Sequence, residues 1–296
     1  MAEVLAKDGT WTFDGDAVRV VPGRGRGVHK LRQELGQVTV PLMALAGVGY
    51  EPVGRRGGRL RLRVRAGADP FTQVVGGKLS DDADPYQLVV DADHVAVAEY
   101  FAEEVRTALL LEQVPEGPCD DYLVSGPQVP LTAAGVDGSL AFDGASVRVE
   151  WNWMAEESKR SVGGRTFVLA DLVTVEWRPA SGLDFGHLRF RGVNDTVELP
   201  AEHDPNCVLL WGTKKESSRT ALLAAAVTAR LPHPSRPAPA RHRLPRPTEQ
   251  VPAPVFGEDQ DVLLRRLREL GELHRDGVLT DEEFTAAKRA VLRRMG

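Results

Sequence analysis

Gly23-Arg24-Gly25-Arg26-Gly27 is the first place in this 296-residue chain where residue types and spacing could do chemistry. Glycine lets the backbone come close to an anion, and arginine offers a forked donor to phosphate. The spacing Gly-x-Gly-x-x-Gly and the ending Gly-Lys-Ser/Thr of phosphate-cradling loops are missing, and Gly36 interrupts any helix that follows, so nucleotide binding is not expected. Charge is what the loop keeps. Arg24, Arg26 and Lys30, set beside the alternating Arg59, Arg61 and Arg63 and then Arg65, compose a candidate site for a lipid headgroup or another anion. A plainer reading competes: arginines at every second position of a strand are its solvated face, and nearby carboxylates leave the unit net negative. The plainer reading is preferred.

The other candidates are thinner. His274 to Phe284 looks like the second half of a calcium loop, but Glu272 and His274 stand where leading Asp or Asn ligands are required, so no metal is expected. Neither Cys119 nor Cys207 has a histidine at metal-ligand spacing, and no serine sits in a Gly-x-Ser-x-Gly elbow. No catalytic residue and no cofactor is assigned. Trp177 is expected in a core. Trp151 and Trp153, which share strand parity, are left open between core and the lining of a ligand pocket or partner surface.

The elements that must position these residues come in two copies. Asp8-Gly9-Thr10-Trp11-Thr12-Phe13-Asp14-Gly15 and the strand Ala17 to Val21 return as Asp137-Gly138-Ser139-Leu140-Ala141-Phe142-Asp143-Gly144 and Ser146 to Glu150. Each reads as a β-hairpin about an Asp-Gly turn. Leu42, Leu45, Val48, Tyr50 and Pro52 then match Leu169, Leu172, Val175, Trp177 and Pro179 at a constant offset of 127. Arg59 to Arg65 reads as a strand, its leucines and valine in and its arginines out, and Gly58 to Arg63 matches Gly186 to Arg191. Asp84-Pro85 and Asp204-Pro205 lead into a last strand. Each copy closes with a helix, one capped by Asp93 and carrying Val97, Phe101, Val105 and Leu109, the other carrying Leu223, Val227 and Leu231. The copies diverge most at 21–37 and 150–165, where binding specificity is expected to lie.

The expected domains are a first β-rich repeat at 1–115, a second at 125–231, a stiff, exposed proline-rich linker at 232–257 and a helical hairpin at 258–296. The fold class is α+β. Composition agrees with a folded chain, at 42% hydrophobic and 27% charged residues, and a net charge of −5 gives no reason to expect nucleic acid as a partner. The start carries no apolar secretion signal, and two unpaired cysteines suit a reducing compartment, so a cytoplasmic location is expected.

On these residues the chain resembles known families. The Asp-Gly-x-x-x-Phe-Asp-Gly-x-x-Val-Arg-Val openings and the Asp-Pro strand leads resemble tandem copies of an actinobacterial domain of unknown function, family four-four-two-nine. The order of strands and then a helix is similar to pleckstrin-homology-like domains. Leu263, Leu267, Leu270, Leu273, Gly277, Leu279, Thr280, Glu282, Glu283, Phe284, Lys288 and Leu292 resemble the short C-terminal (SHOCT) domain, which implies a module for oligomerisation or tethering. A hairpin of about forty residues buries little by itself, so its apolar stripe needs a second surface. Leu263, Leu267, Leu270, Leu273, Phe284, Val291 and Leu292 are therefore expected to join copies of the chain. The expected function is a non-enzymatic binding and assembly protein, a homo-oligomer or the partner of another protein. The alternative is a peripheral adaptor on the anionic inner face of a membrane, and an enzyme of unrecognised type stands third.

Overall fold

A computed structural model describes residues 1–236 except 54–56, 182–183, 194 and 196–197. The chain divides into units at 1–239 and 240–296. The calcium-like stretch and the seven apolar residues assigned to oligomerisation fall outside the described residues.

Alternation of apolar and polar residues builds the first sheet from β1 (Ala2–Ala6), β2 (Gly9–Phe13), β3 (Ala17–Pro22) and β4 (Val38–Pro41), antiparallel and in chain order. Trp11 lies opposite Val20 and Phe13 opposite Val18, all on the buried face. The turn between them is held by Asp14, whose Oδ1 accepts from Asp16 N and Ala17 N at 3.0 and 2.9 Å, while Gly15 takes φ +112°. That conformation favours glycine. A short helix α1 (Lys30–Leu35) interrupts the passage from β3 to β4.

The second sheet is β5 (Leu45–Pro52), β6 (Gly57–Val64) and β7 (Gln87–Asp91), with helix α2 (Pro70–Val75) inserted before β7. Asp69 caps α2 through Phe71 N and Thr72 N and also accepts from Tyr86 Oη at 2.9 Å. Helix α3 (Val95–Leu111) closes the repeat, and Phe101 fills the centre of its core, 6.3 Å from Trp11 and 6.5 Å from Phe13 between ring centroids.

The second repeat rebuilds this plan. Its four-stranded sheet is β8 (Leu131–Ala134), β9 (Gly138–Phe142), β10 (Ser146–Trp151) and β11 (Arg165–Val168), with short helix α4 (Glu157–Arg160) after β10. Its three-stranded sheet is β12 (Leu172–Arg178), β13 (Gly186–Gly192) and β14 (Cys207–Leu210), closed by α5 (Lys214–Thr228). The correspondence reaches details. The register shifts between Leu45 and Gly47 in one copy and between Leu172 and Thr174 in the other. Asp143 holds its turn as Asp14 does, with Gly144 at φ +107°, and in both the backbone donors keep the carboxyl below its usual range.

The two closing helices differ in what they cover. Helix α3 packs on the sheets of its own repeat, whereas α5 packs on β8 and β12 and also on α1 and α2 of the first repeat. Every residue of α5 from Thr220 to Thr228 is buried, as a helix apolar on all sides must be. Leu31, Phe71 and Val75 accordingly belong to the core of the second repeat.

Four expectations need correction. Asp93 is not the cap of α3: it lies in a 3-10 turn, Ala92–His94, and the helix begins at Val95. Val97 is 41% exposed, and the buried stripe is Ala98, Phe101, Ala102 and Val105. A strict spacing of four drifts about 40° per step around a helix of 3.6 residues per turn, so a stripe that starts at Val97 leaves the face. Arg65 does not face out. It is buried, and its guanidinium donates to Met43 O and Gly117 O at 2.8 Å each. The beginning of the proline-rich stretch is not exposed linker either, since His233 is buried, 3.0 Å from Gly67 O and edge-on to Tyr122.

Candidate functional site

Arg24 and Arg26 are exposed on the loop between β3 and α1, and Lys30 is the exposed first residue of α1. The loop is shaped by Gly25, whose carbonyl accepts from Val28 N at 3.1 Å and from Gln33 Nε2 at 2.9 Å. On β6, Arg59 and Arg61 share one carboxylate, Asp81 Oδ2, at 2.9 and 3.1 Å, and Arg61 Nε also lies 3.7 Å from Glu51. Arg63 lies over Gly47. Of the three strand arginines only Arg59 meets the glycine loop: with Gly25, Gly27 and Val28 it lines a cavity of about 470 Å³. Arg61 lines a different cavity.

At the floor of the 470 Å³ cavity is a pair that sequence reasoning did not single out. Arg32 of α1 is buried with Nη1 2.9 Å from Asp8 Oδ2, and the Asp8 carboxylate also accepts from Val89 N of β7 at 3.2 Å. The second repeat has the same device, fully enclosed. Lys159 Nζ of α4 lies 2.6 Å from Asp137 Oδ2 and donates to Cys207 O at 2.8 Å, while Asp137 Oδ1 accepts from Leu209 N at 2.9 Å. In both copies the acid of the opening Asp-Gly, the cation of the short helix and the last strand are thus tied together. The repeated Asp-Gly was visible in the sequence. Its cation was hidden in the segment where the copies diverge.

Around this shared device the surfaces differ. In the first repeat Lys7 reaches Asp91 at 3.1 Å, beside the glycine loop. At the corresponding place the second repeat has Val136 and Trp211, which with Met154 line a cavity of about 460 Å³. Trp211 is 62% exposed and meets Phe185 edge to face at 5.4 Å. Trp177 is buried with Nε1 donating to Thr220 Oγ1 at 3.0 Å. The other two tryptophans, despite their shared parity, differ in burial. Trp151 is the half-buried end of β10, with Lys159 Nζ 5.1 Å from its ring centroid, and Trp153 is 83% exposed in the turn beyond.

Several other titratable groups are buried. Cys119 and Cys207 are both buried and unpaired, and burial pushes the Cys207 thiol up to about 12, far from a reactive thiolate. His187 Nε2 lies 3.6 Å from Glu176, and burial lowers its pKa. Burial beside Asp69 holds the Tyr86 hydroxyl well above its usual range, so it stays a hydrogen-bond donor. Among the described residues no three of His, Cys, Asp and Glu cluster as metal ligands, and no helix is long and apolar enough to cross a membrane.

Two β-rich copies, each with its own core and with the same anchored ion pair, define a tandem-repeat protein. The family described as Domain of unknown function (DUF4429) matches residues 11–106 and 140–228, and the chain belongs to that family. Residues 265–292 match the Short C-terminal domain (SHOCT). No curated protein sequence matches the chain.

Proposed function

We propose that the chain is a non-enzymatic binding and assembly protein of the cytoplasm. Its two repeats, pleckstrin-homology-like in the order of four strands, three strands and a helix, present the binding surfaces, and a C-terminal helical hairpin joins copies of the chain. One observation carries this reading: equivalent places on the two repeats are ionic in one, at Lys7 and Asp91, and apolar in the other, at Val136 and Trp211, over the same anchored ion pair. Constant interiors with divergent exteriors are what a scaffold for different partners requires. The match to the short C-terminal domain supports the assembly half. Light scattering of the full chain against a chain ending at Arg236 tests it, with a larger mass expected for the full chain and the same loss of mass for Leu267→Asp. Equal monomeric masses at micromolar concentration reject assembly.

The second reading, a peripheral adaptor that holds anionic headgroups, is favoured by the exposure of Arg24, Arg26 and Lys30. The sharing of Asp81 by Arg59 and Arg61 weakens it, because a paired guanidinium offers less to a phosphate.

A further inference from the structure

Asp84 and Asp204 hold the same position, one residue before the proline that leads into the last strand of each repeat. Each carboxylate accepts from the backbone N–H two residues on, Tyr86 N at 2.9 Å and Asn206 N at 2.8 Å. The cations across from them are equivalent as well, Arg61 on β6 and Arg189 on β13. There the repeats part. In the second, Arg189 is buried with Nε 3.1 Å from Asp204 Oδ2. In the first, Arg61 turns to Asp81 and Glu51, and among the described residues Asp84 has no cation within ion-pair distance.

What borders Asp84 instead is a cavity of about 300 Å³. Its apolar wall is Leu62, Phe71, Val75, Leu79 and Tyr86, and part of that wall comes from α2, a helix with no counterpart among the described residues of the second repeat. Its charged groups are Arg61, Asp81 and Asp84; Asp81 is held by Arg61 and Arg59, which leaves Asp84 as the lining carboxylate without a cation at ion-pair distance among the described residues. A concave space in which apolar walls meet convergent polar groups is a usual form of a small-molecule site, and here polar and apolar lining are about equally represented. We propose that this cavity binds a small organic cation, an ammonium group on an apolar body the size of a phenyl or hexyl group. The ammonium takes the place that Arg189 holds against Asp204, and the body lies against Phe71, Val75 and Leu79.

The charge selects the class. An anion would meet the unpaired Asp84 carboxylate, and a neutral apolar ligand would leave Asp84 facing the cavity without a counter-charge. Burial raises the Asp84 pKa against the opposing pull of the Tyr86 N–H and of the more distant Arg61 and Arg32, and a cation bound in direct contact would favour the ionised form. The site lies within the first repeat and stands whether or not the chain assembles.

Phenethylammonium, titrated into the full chain and followed by methyl NMR, is the probe, with phenethyl alcohol as its neutral isostere. Shifts centred on the Leu62, Val75 and Leu79 methyls are expected, with the alcohol roughly tenfold weaker, since loss of the charge pair removes about 1.4 kcal/mol. Asp84→Asn keeps the bond from Tyr86 N and should bind the two probes alike, while Leu79→Trp should fill the space and exclude both. Equal binding of amine and alcohol by the unaltered chain would overturn the proposal, as would full amine affinity in Asp84→Asn or the absence of shifts at millimolar probe.

Discussion

Lys159 is fully buried, and polar and aromatic partners surround its side-chain nitrogen. Its ammonium meets a carboxylate, a carbonyl and an aromatic face, so the cost of leaving water is offset by three kinds of partner. Lys159→Met leaves Asp137 buried without its cation, and urea unfolding should register a loss of about 3–5 kcal/mol. Adding Asp137→Asn, which retains the bond from Leu209 N, should recover a large part of that loss. A single variant no less stable than the starting chain would show that the pair contributes nothing net. Sequence reading reached the acid of this pair and not the base, because a lysine in a polar, divergent stretch looks like any solvated one. Burial is what distinguishes it, and burial follows from the last strand passing over it.

At the scale of elements, the revised face of α3 has a direct check. Phe101→Ala should cost roughly 3–5 kcal/mol, whereas Val97→Ala, on the exposed side, should stay within about 0.5 kcal/mol. A comparable loss from both would restore the stripe expected from strict spacing. The hairpins, the constant offset between repeats and the arginine-bearing strand were legible, because an alternation of two and an Asp-Gly turn are local signals. Helices α1, α2 and α4 were not legible. They are six, six and four residues long, too short to show a helical period, and α2 is recognisable only by its Asp69 cap and Pro70 start. The same shortness hid the 300 Å³ cavity, since its wall is built from α2.

For the whole described unit, the position of α5 makes the two repeats one folding body. Glu34 meets Arg219 at 3.3 Å across the junction, and Leu31, Phe71 and Val75 have their cover in the second repeat. A chain ending at Arg236 should therefore unfold in a single calorimetric transition, and the first repeat cut off before Gly126 should bind a hydrophobic dye and melt at a lower temperature. Two separated transitions in the longer chain would contradict this. Synthesis adds a direction to the same feature. Helix α3 is complete at Leu111 but α5 only at Thr228, so at about 5–20 residues per second the ribosome leaves the apolar side of α1 and α2 open for on the order of 10 s. During that interval the nascent chain offers a sticky patch to whatever is near, and a chaperone that holds it until the last helix emerges would raise the yield of native protein.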